Sequence, residues 1–391
     1  MIVLSKISNV PQIRFKGFTD AWEQRKLGEI TEKFEYGLNA AATDFDGVNQ
    51  YLRITDIDDE SREFNKTSLT SPDTNLALAD NYLLKQGDIL FARTGASVGK
   101  TYQYKESDGR VYYAGFLIRA RILSGFNPGF VFQNTLTKRY ENFVSITSQR
   151  SGQPGINAQE YAGFKLLLPK FEEQEQISDL FIRLDNLITL HQRKYDALKS
   201  MKKTLLSKMF PKDGKDVPEI RFKEFTDAWE QRKLGSAINV RSGKDYKHLD
   251  EGDVPVYGTG GYMLSVSEAL ENTQDAIGIG RKGTIDKPFV LKAPFWTVDT
   301  LFYCIPKGNN YLGFLYPLFQ SINWKLYDES TGVPSLSKTA IEGVTINLTG
   351  KDEQYSIGEY FEIVDTLITL HQRKLDELKN MKKTLLQQMF V

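Results

Sequence analysis

The sequence predicts a mixed α/β protein, built as a pseudo-twofold internal repeat in which two α/β domains alternate with two long helices. Two observations predict the repeat. PQIRFKGFTDAWEQRKLG and PEIRFKEFTDAWEQRKLG stand near the starts of the two halves, and LITLHQRK followed by MKKTLL occurs near the end of each half. A third observation is the length of 391 residues, which exceeds one ordinary core and favours two or more domains.

The repeated segments differ from the sequence between them. The front copies span residues 11–28 and 218–235 and the rear copies span 184–210 and 364–390, whereas the enclosed middles diverge. Identical segments must meet the same surroundings twice, as on the two sides of a pseudo-twofold particle, while divergent segments meet different ones. The alternative, recent duplication followed by drift, would not by itself preserve both ends while the middle changed.

The rear segments are predicted to be long helices with a coiled-coil seam. Apolar residues recur every seven positions over several heptads, with charged residues elsewhere, as is typical of such a seam. One helix carries Ile177, Leu184, His191, Leu198 and Leu205, with Phe181, Ile188, Tyr195 and Met209 four positions further on, and the other carries Ile357, Val364, His371, Leu378 and Leu385. The two seam histidines are expected to set register, because three histidines and one cysteine make a poor zinc inventory.

The order of these segments predicts four regions. Residues 1–170 and 218–350 are the α/β domains, 171–217 form the first helix with a linker, and 351–391 form the second helix. The linker PKDGKDVP, residues 211–218, has the Pro, Gly and Asp composition that ends a helix and starts a new unit. Short β-rich runs and a few helical patches in each middle predict compact α/β domains of irregular topology.

Composition limits the possible partners and compartments. Lysine plus arginine equals aspartate plus glutamate at 50 each, so any nucleic-acid binding must be local or shared with a partner. The single cysteine, Cys304, lies in the apolar run LFYCIP and is expected to be buried, which leaves no disulfide within the chain. The sequence lacks an export signal and a membrane-spanning run, so a cytoplasmic protein without a membrane partner is expected.

A glycine-rich stretch, FARTGASVGKTYQY at residues 91–104, resembles a nucleotide-binding loop only superficially. Three residues separate Gly95 from Gly99 where that loop needs four, and TYQY follows, which is typical of a strand rather than a helix. Aligned with the second half, it falls opposite GIGRKGTIDKPF. Both copies keep Arg-x-Gly with a lysine after it, which favours a basic hairpin that docks on a phosphate backbone or a base edge.

A second pair of loops also persists in both middles. SGQPGIN at residues 151–157 aligns with TGVPSLS at 331–337, and such turns offer backbone amides and hydroxyls to phosphates. For both pairs the alternative is ordinary turn chemistry with charge for solubility. Basic and aromatic clusters at residues 36–39, 51–53 and 241–247 resemble groove-contacting loops more weakly.

Catalytic motifs are not recognisable in the sequence. A methyl-donor or dinucleotide loop followed by an acidic residue, Asn-Pro-Pro-aromatic, a helicase box and nuclease-spaced acidic residues are all missing. GTGGY at residues 258–262 is glycine-rich but lacks the strand, loop and helix context of a cofactor site. Too few histidines lie in plausible loops for a catalytic triad.

From about Pro11 to Phe390 the chain resembles the specificity subunit of Type I restriction-modification systems. The residues that carry the resemblance are the duplicated FTDAWEQRKLG, LITLHQRK and MKKTLL, the variable middles, and the paired ARTGASVGK and GRKGTIDK. The resemblance implies that each variable middle is a target-recognition domain for one half of a bipartite site in double-stranded DNA. It also implies that the conserved helices pair antiparallel, hold those domains apart and bind two methyltransferase subunits.

The same resemblance implies that the chemistry belongs to other subunits. Methyl transfer from S-adenosylmethionine to adenine would belong to the methyltransferase, and cleavage with ATP and Mg²⁺ to restriction and motor subunits. This chain would then be no enzyme and would bind no cofactor or metal itself. Two other hypotheses stay open: a pseudo-symmetric coiled-coil scaffold whose variable domains bind proteins, and an enzyme with an unrecognised site.

The resemblance also supplies candidate DNA contacts by position. The departure of GRKGTIDK from ARTGASVGK means that residue roles need not match between the halves. The candidates are Arg93, Thr94, Ser97 and Lys100 in the first half, Arg281, Lys282, Thr284 and Lys287 in the second, and in second rank Ser151, Gln153, Asn157, Thr331, Ser335 and Ser337.

Overall fold

The computed structural model describes residues 9–212 and 214–390, and the chain divides into two compact units. The first unit contains residues up to His191 together with those from Lys374 onward, and the second contains Gln192–Arg373. Each unit therefore holds one α/β domain and a section of both long helices. The four predicted regions follow the order of the chain, whereas the compact units cut across both helices. Residues 1–8, Asp213 and Val391 of those regions lie outside the described residues.

The α/β domain of the first unit is built on an antiparallel four-stranded sheet of order β2-β9-β6-β7. Smaller pairs are β1 with β10, β3 with β5, and the parallel pair β4 with β8. The strands are β1 (Glu23–Lys26), β2 (Thr31–Tyr36), β3 (Ala41–Asp44), β4 (Gln50–Leu52), β5 (Thr70–Asp73), β6 (Asp88–Ala92), β7 (Thr101–Gln103), β8 (Val111–Tyr113), β9 (Leu117–Ile122) and β10 (Lys165–Leu168). The helices are α1 (Pro128–Asn134), α2 (Lys138–Thr147), α3 (Ala158–Ala162) and the long α4 (Phe171–Lys208).

The central strand β6 shows why this sheet is buried on both faces. Successive side chains of its sequence DILFA point to opposite faces of the sheet. Ile89 and Phe91 therefore enter one hydrophobic core, while Leu90 and Ala92 enter another. All four side chains are fully buried. This strand therefore connects two cores. Burial of each large apolar side chain stabilises the fold by about 1.5–3 kcal/mol.

The second unit repeats the central sheet in the order β12-β18-β15-β16, and adds the three-stranded sheet β14-β13-β17 and the pair β11 with β19. Each strand of the four-stranded sheet has its counterpart at the same position in the first unit. The strands are β11 (Glu230–Lys233), β12 (Ile238–Ser242), β13 (Glu251–Gly258), β14 (Gly261–Val266), β15 (Ala276–Gly280), β16 (Phe289–Leu291), β17 (Trp296–Thr297), β18 (Leu301–Pro306) and β19 (Thr345–Leu348). The helices are α5 (Leu312–Ser321), α6 (Lys338–Gly343) and the long α7 (Lys351–Met389).

Cys304 lies on β18, is fully buried as the sequence predicts, and has its pKa raised by that burial. The predicted seam of α4 is also confirmed, because every seam residue named on it is buried or half-buried. None of the helices within the described ranges combines the length and the apolarity needed to cross a membrane.

The long helices pack antiparallel in each unit. In the first unit Phe181 of α4 contacts Phe390, which directly follows α7, with ring centroids 5.8 Å apart, and Asp185 pairs with Lys382 at 2.6 Å. Residue numbers therefore rise along one helix while they fall along the other. This confirms the antiparallel pairing that the resemblance implies.

The second unit makes the equivalent contacts with the roles of the helices exchanged. Phe361 of α7 contacts Phe210, which follows α4, at a centroid distance of 6.1 Å, and Asp365 pairs with Lys202 at 2.6 Å. At these contacts, identical helix residues therefore meet the same surroundings twice.

Equivalent contacts also account for the tryptophan that the two front segments share. Trp22 packs edge-on against Phe130 at 5.6 Å and Phe390 at 6.3 Å, and Trp229 packs against Phe314 at 5.7 Å and Phe210 at 6.1 Å. Each tryptophan thus joins the α/β domain of its unit to the end of a long helix.

A buried ion pair also recurs at the start of each long helix. Arg14 contacts Glu173 at 2.6 Å and Arg221 contacts Glu353 at 2.7 Å, with both carboxylates almost fully buried. Each pair is bidentate, since a second guanidinium nitrogen donates to the other carboxylate oxygen at 2.8 Å. A buried carboxylate without its partner is strongly destabilising.

We expect Arg221→Ala to lower the free energy of unfolding by about 3–5 kcal/mol, because Glu353 would keep a buried, unpaired charge. The control is Arg232→Ala, which removes an exposed pair with Glu230 and should cost less than about 1 kcal/mol. Urea unfolding followed by tryptophan fluorescence measures both. Equal losses in the two variants would contradict the assignment.

Candidate nucleic-acid interface

The two loop motifs that persist in both middles lie side by side in the first unit. The loop after β6, residues 93–97, contacts the loop before α3, residues 151–157. Ile156 donates its backbone N–H to the carbonyl of Arg93 at 2.9 Å, and Gly95 donates to the carbonyl of Pro154 at 3.0 Å. Segments far apart in the sequence therefore form one site.

The second unit repeats this arrangement atom for atom. Leu336 donates its N–H to the carbonyl of Arg281 at 2.9 Å, and Gly283 donates to the carbonyl of Pro334 at 2.8 Å. We call each arrangement the paired loops, residues 93–97 with 151–157 in the first unit and 281–284 with 331–337 in the second. The alignment of the motifs across the halves is thus confirmed in three dimensions.

The glycine of Arg-x-Gly is required by the backbone. Gly95 has φ of +71° and Gly283 has φ of +97°, which is the left-handed region that side chains rarely adopt. At Gly95 an added Cβ would also lie 2.9 Å from the side-chain Nε2 of Gln153. The glycine therefore turns the chain directly after the arginine and brings the second loop close.

Arg93 is held by aromatic rings. Its guanidinium carbon lies 5.0 Å from the ring centroid of Tyr36 and 6.0 Å from that of Phe116, and its buried Nε has no hydrogen-bond partner among the described residues. Phe116 is 57% exposed and Tyr36 is 44% exposed. Stacking fixes a planar guanidinium while its donors can still serve a guanine edge or a phosphate.

Arg281 occupies the corresponding position with looser support. It is exposed, its Nη1 donates to the carbonyl of Asp299 at 3.3 Å, and its guanidinium lies 5.8 Å from the ring centroid of Phe302. Lys282 and Lys287 are exposed and Thr284 is half-buried. The second unit therefore presents more unburied positive charge in its paired loops than the first.

Asp328 helps to order the paired loops of the second unit. Its carboxylate accepts the backbone N–H groups of Ser335 at 2.9 Å and Ser330 at 3.0 Å. These hydrogen bonds hold the pKa of Asp328 below its usual range, and the one from Ser335 has the largest effect. Sequence reasoning missed this residue, because nothing in the local pattern distinguishes it from a surface aspartate.

Lys100 requires a correction. The side chain is 9% exposed, and its ammonium donates to the carbonyl of Ile57 at 3.0 Å and pairs with Asp59 at 2.6 Å. A lysine charge buried in this way is satisfied within the fold. We therefore assign Lys100 to the anchoring of the loop after β6 and remove it from the DNA-contacting candidates.

Two further candidates carry helix caps. The side-chain oxygen of Asn157 accepts the N–H of Glu160 at 2.9 Å at the start of α3, and that of Ser337 accepts the N–H of Ala340 at 3.0 Å at the start of α6. Each of these oxygens therefore accepts one hydrogen bond within the fold. A direct contact from either residue to DNA stays a prediction, as it does for the other candidates, Thr94, Ser97, Ser151, Gln153, Thr331 and Ser335.

The weaker clusters are largely structural. Tyr51 is buried and donates its hydroxyl to the carbonyl of Leu38 at 2.7 Å, Arg53 pairs with Asp56 at 2.9 Å, and Arg241 pairs with Glu271 at 3.0 Å. Tyr36 instead contacts Arg93 of the paired loops, and Lys244 and Lys247 are exposed. Phe116 was missed, because a single aromatic residue after a glycine carries no pattern.

The glycine-rich stretches behave as turns. Strand β7 begins at Thr101 directly after Gly99 and Lys100, so the structure confirms that no helix follows the nucleotide-loop-like sequence. GTGGY forms the turn between β13 and β14, where Gly261 has φ of +105°. Within the described residues no group of His, Cys, Asp and Glu is arranged to hold a metal ion.

Comparison with known families agrees with this architecture. The model of the Type I restriction modification DNA specificity domain matches residues 19–200 and again 226–380, one match for each half. The chain belongs to this family. It is a specificity subunit of a Type I restriction-modification system, the class to which its repeat, helices and paired loops correspond.

The relatives cover nearly the whole chain. The type I restriction enzyme MjaVIII specificity subunit of Methanocaldococcus jannaschii is 20% identical over 407 residues, which cover 93% of this chain and 91% of the relative. A second protein of that organism, provisionally described as the type I restriction enzyme MjaX specificity subunit, is 22% identical over 411 residues, covering 97% and 95%. The crystal structure of the type I system S subunit from M. genitalium shares the fold, with a TM-score of 0.72, 15% identity and coverage of 98% and 99%.

We expect substitution of Arg93 to affect DNA binding and substitution of Lys100 to affect stability. We expect Arg93→Ala to weaken DNA binding by about 1–3 kcal/mol on one half-site while stability changes little. Lys100→Met should lower the free energy of unfolding, because it leaves the Ile57 carbonyl without its donor.

Fluorescence anisotropy with duplexes that vary one half-site at a time measures the first effect, and urea unfolding the second. An equal Arg93→Ala loss on every DNA sequence would identify a phosphate contact instead of a base contact.

Proposed function

We propose that this specificity subunit reads a bipartite target in double-stranded DNA, and that the paired loops of each unit contact one half-site. One observation carries the proposal. The same four backbone positions are hydrogen-bonded in both units, with an arginine at the same place, although the surrounding sequences differ. A geometry that is retained while its neighbours change is what a common binding task with two different specificities requires.

The residues suit a division between base and backbone contacts. Arg93 and Arg281 can donate two parallel hydrogen bonds to a guanine edge. Turns with backbone amides and short hydroxyls, such as those at Ser151 and Thr331, suit phosphates and fix the register of the protein on the duplex. Because the loop sequences of the two units differ, the two half-sites should differ as well.

The long helices are proposed to bind two methyltransferase subunits. Four exposed leucines support this, because Leu187 and Leu190 of α4 recur at the equivalent positions Leu367 and Leu370 of α7, and all four are between 38% and 58% exposed. Large apolar side chains exposed at repeated positions mark a contact surface. Two identical surfaces would accommodate two copies of the same partner.

Catalysis is proposed to reside in those partners. The methyltransferase would bind S-adenosylmethionine and take the adenine out of the base stack. ATP and Mg²⁺ would act on restriction and motor subunits. This chain would bind no cofactor and would supply sequence recognition in the cytoplasm.

Methylome mapping tests the proposal. We expect co-expression of this chain with the methyltransferase subunit, in cells without adenine methylation, to produce modified adenines in a two-part motif with a fixed gap. Exchange of residues 29–170 or 236–350 for those of another specificity subunit should change one half of the motif and leave the other. Single-molecule sequencing reads both outcomes.

The control is the methyltransferase expressed alone. No modification above that control, with both proteins soluble and associated, would favour a scaffold that binds proteins. Methyl transfer or hydrolysis by the purified chain alone would favour an enzyme with an unrecognised site.

A further inference from the structure

An open groove of about 700 Å³ lies in the second unit, between the last turns of α4, the loop after β15 and the end of α5. Five lysines line it, and we call it the lysine groove, defined by Lys199, Lys202, Lys203, Lys212 and Lys287. The two acidic residues in its lining are Asp286 and Asp365. Of the candidate DNA contacts named from the sequence, Lys287 is the one that lines this groove.

The positive charge of the lysine groove is largely unneutralised. Asp365 pairs with Lys202, but Asp286 pairs with Lys325, outside the groove, at 2.9 Å, and that contact holds the pKa of Asp286 below its usual range. Lys203 and Lys287 have no salt-bridge partner within residues 9–212 and 214–390. Like charges concentrated in a concave surface create a potential that attracts an anionic partner.

The first unit provides an internal comparison. The equivalents of Lys199 and Lys202 on α7 are Lys379 and Lys382, within the same repeated helix sequence. Lys379 pairs with Glu60 at 2.7 Å and Lys382 with Asp185 at 2.6 Å. An acidic loop of the first α/β domain, DDE at residues 58–60, thus supplies a counter-charge to Lys379 that Lys199 lacks. The two units therefore differ at this lysine, whose counter-charge depends on the α/β domain that it faces.

The lysine groove is continuous with the paired loops. Lys287 lines both the groove and a smaller pocket of about 310 Å³, whose other walls include Thr259, Gly260 and Thr284. Thr284 belongs to the paired loops of this unit. A DNA duplex that contacts the paired loops would therefore also face a positively charged surface that extends toward α4.

We propose that the lysine groove binds the sugar-phosphate backbone of DNA next to the half-site of the second unit. This proposal rests on the proposed recognition function. Lys199 and Lys203 are separated by about 6 Å along the helix axis, close to the axial spacing of about 6.8 Å between two steps of one DNA strand. Flexible ammonium groups suit phosphates, which need charge without fixed bidentate geometry. The long helix then adds sequence-independent affinity to the second unit.

The test uses the full chain in complex with its methyltransferase subunit and a labelled duplex of mixed sequence. We expect Lys199→Ala combined with Lys203→Ala to reduce the slope of log affinity against log salt by about 2, between about 50 and 200 mM salt, because each phosphate contact contributes about 0.9. The loss should be the same on any sequence. Lys287→Ala alone should reduce the slope by about 1.

The matched control compares Lys379→Ala with Lys199→Ala, its equivalent on α4, and only Lys199→Ala should reduce the slope, by about 1, because Glu60 already pairs with Lys379. Equal slopes in wild type and in the groove variants would contradict DNA binding by the lysine groove, and would leave recognition by the paired loops unaffected. If wild type binds no duplex, both proposals fail. Loss of methyltransferase co-elution on gel filtration with an unchanged slope would overturn the DNA assignment and identify an acidic protein surface as the occupant.

Discussion

The structure depends on the burial of one phenylalanine at the end of each long helix. Phe390 packs between Phe181 and Phe130 of the first unit, and Phe210 packs between Phe361 and Phe314 of the second. Each ring joins a helix end, a helix start and an α/β domain. Since burial of such a ring contributes about 1.5–3 kcal/mol and each favourable aromatic pair about 0.5–1.5 kcal/mol more, loss of either phenylalanine would uncouple three elements at once.

This constraint accounts for the uneven identity of the repeat. The tryptophan of each front segment must fit an aromatic cluster whose other members come from elsewhere in the chain, so Trp22 and Trp229 face the same requirement. The middles meet a weaker constraint, because they need only supply the central sheet and the backbone geometry of the paired loops. Loop side chains can therefore vary on a rigid support, which is the usual basis of changeable recognition.

Periodic and repeated features were accessible from the sequence. The heptads predicted the buried seam, the repeats predicted the pseudo-twofold plan, and the alignment of ARTGASVGK with GRKGTIDK predicted equivalent loops. Contacts between distant segments were not accessible. Lys100 looked like a surface lysine in a basic hairpin, and only the carbonyl of Ile57 and the carboxylate of Asp59 show that it is satisfied internally. Phe116 beneath Arg93 was invisible for the same reason, since stacking joins residues that no local pattern connects.

The same helix lysines illustrate how environment decides function. Lys199 and Lys379 share a repeated sequence, yet Glu60 neutralises only the second, so their electrostatic roles are set by the α/β domain that each one faces. A chain with balanced total charge can thus hold a local positively charged surface without a global basic excess. In the proposed function, affinity from the helix lysines would be indifferent to base sequence, whereas discrimination would come from the paired loops. Because the two proposed contacts lie in different elements, the loops could change their target while the affinity for the DNA backbone is kept.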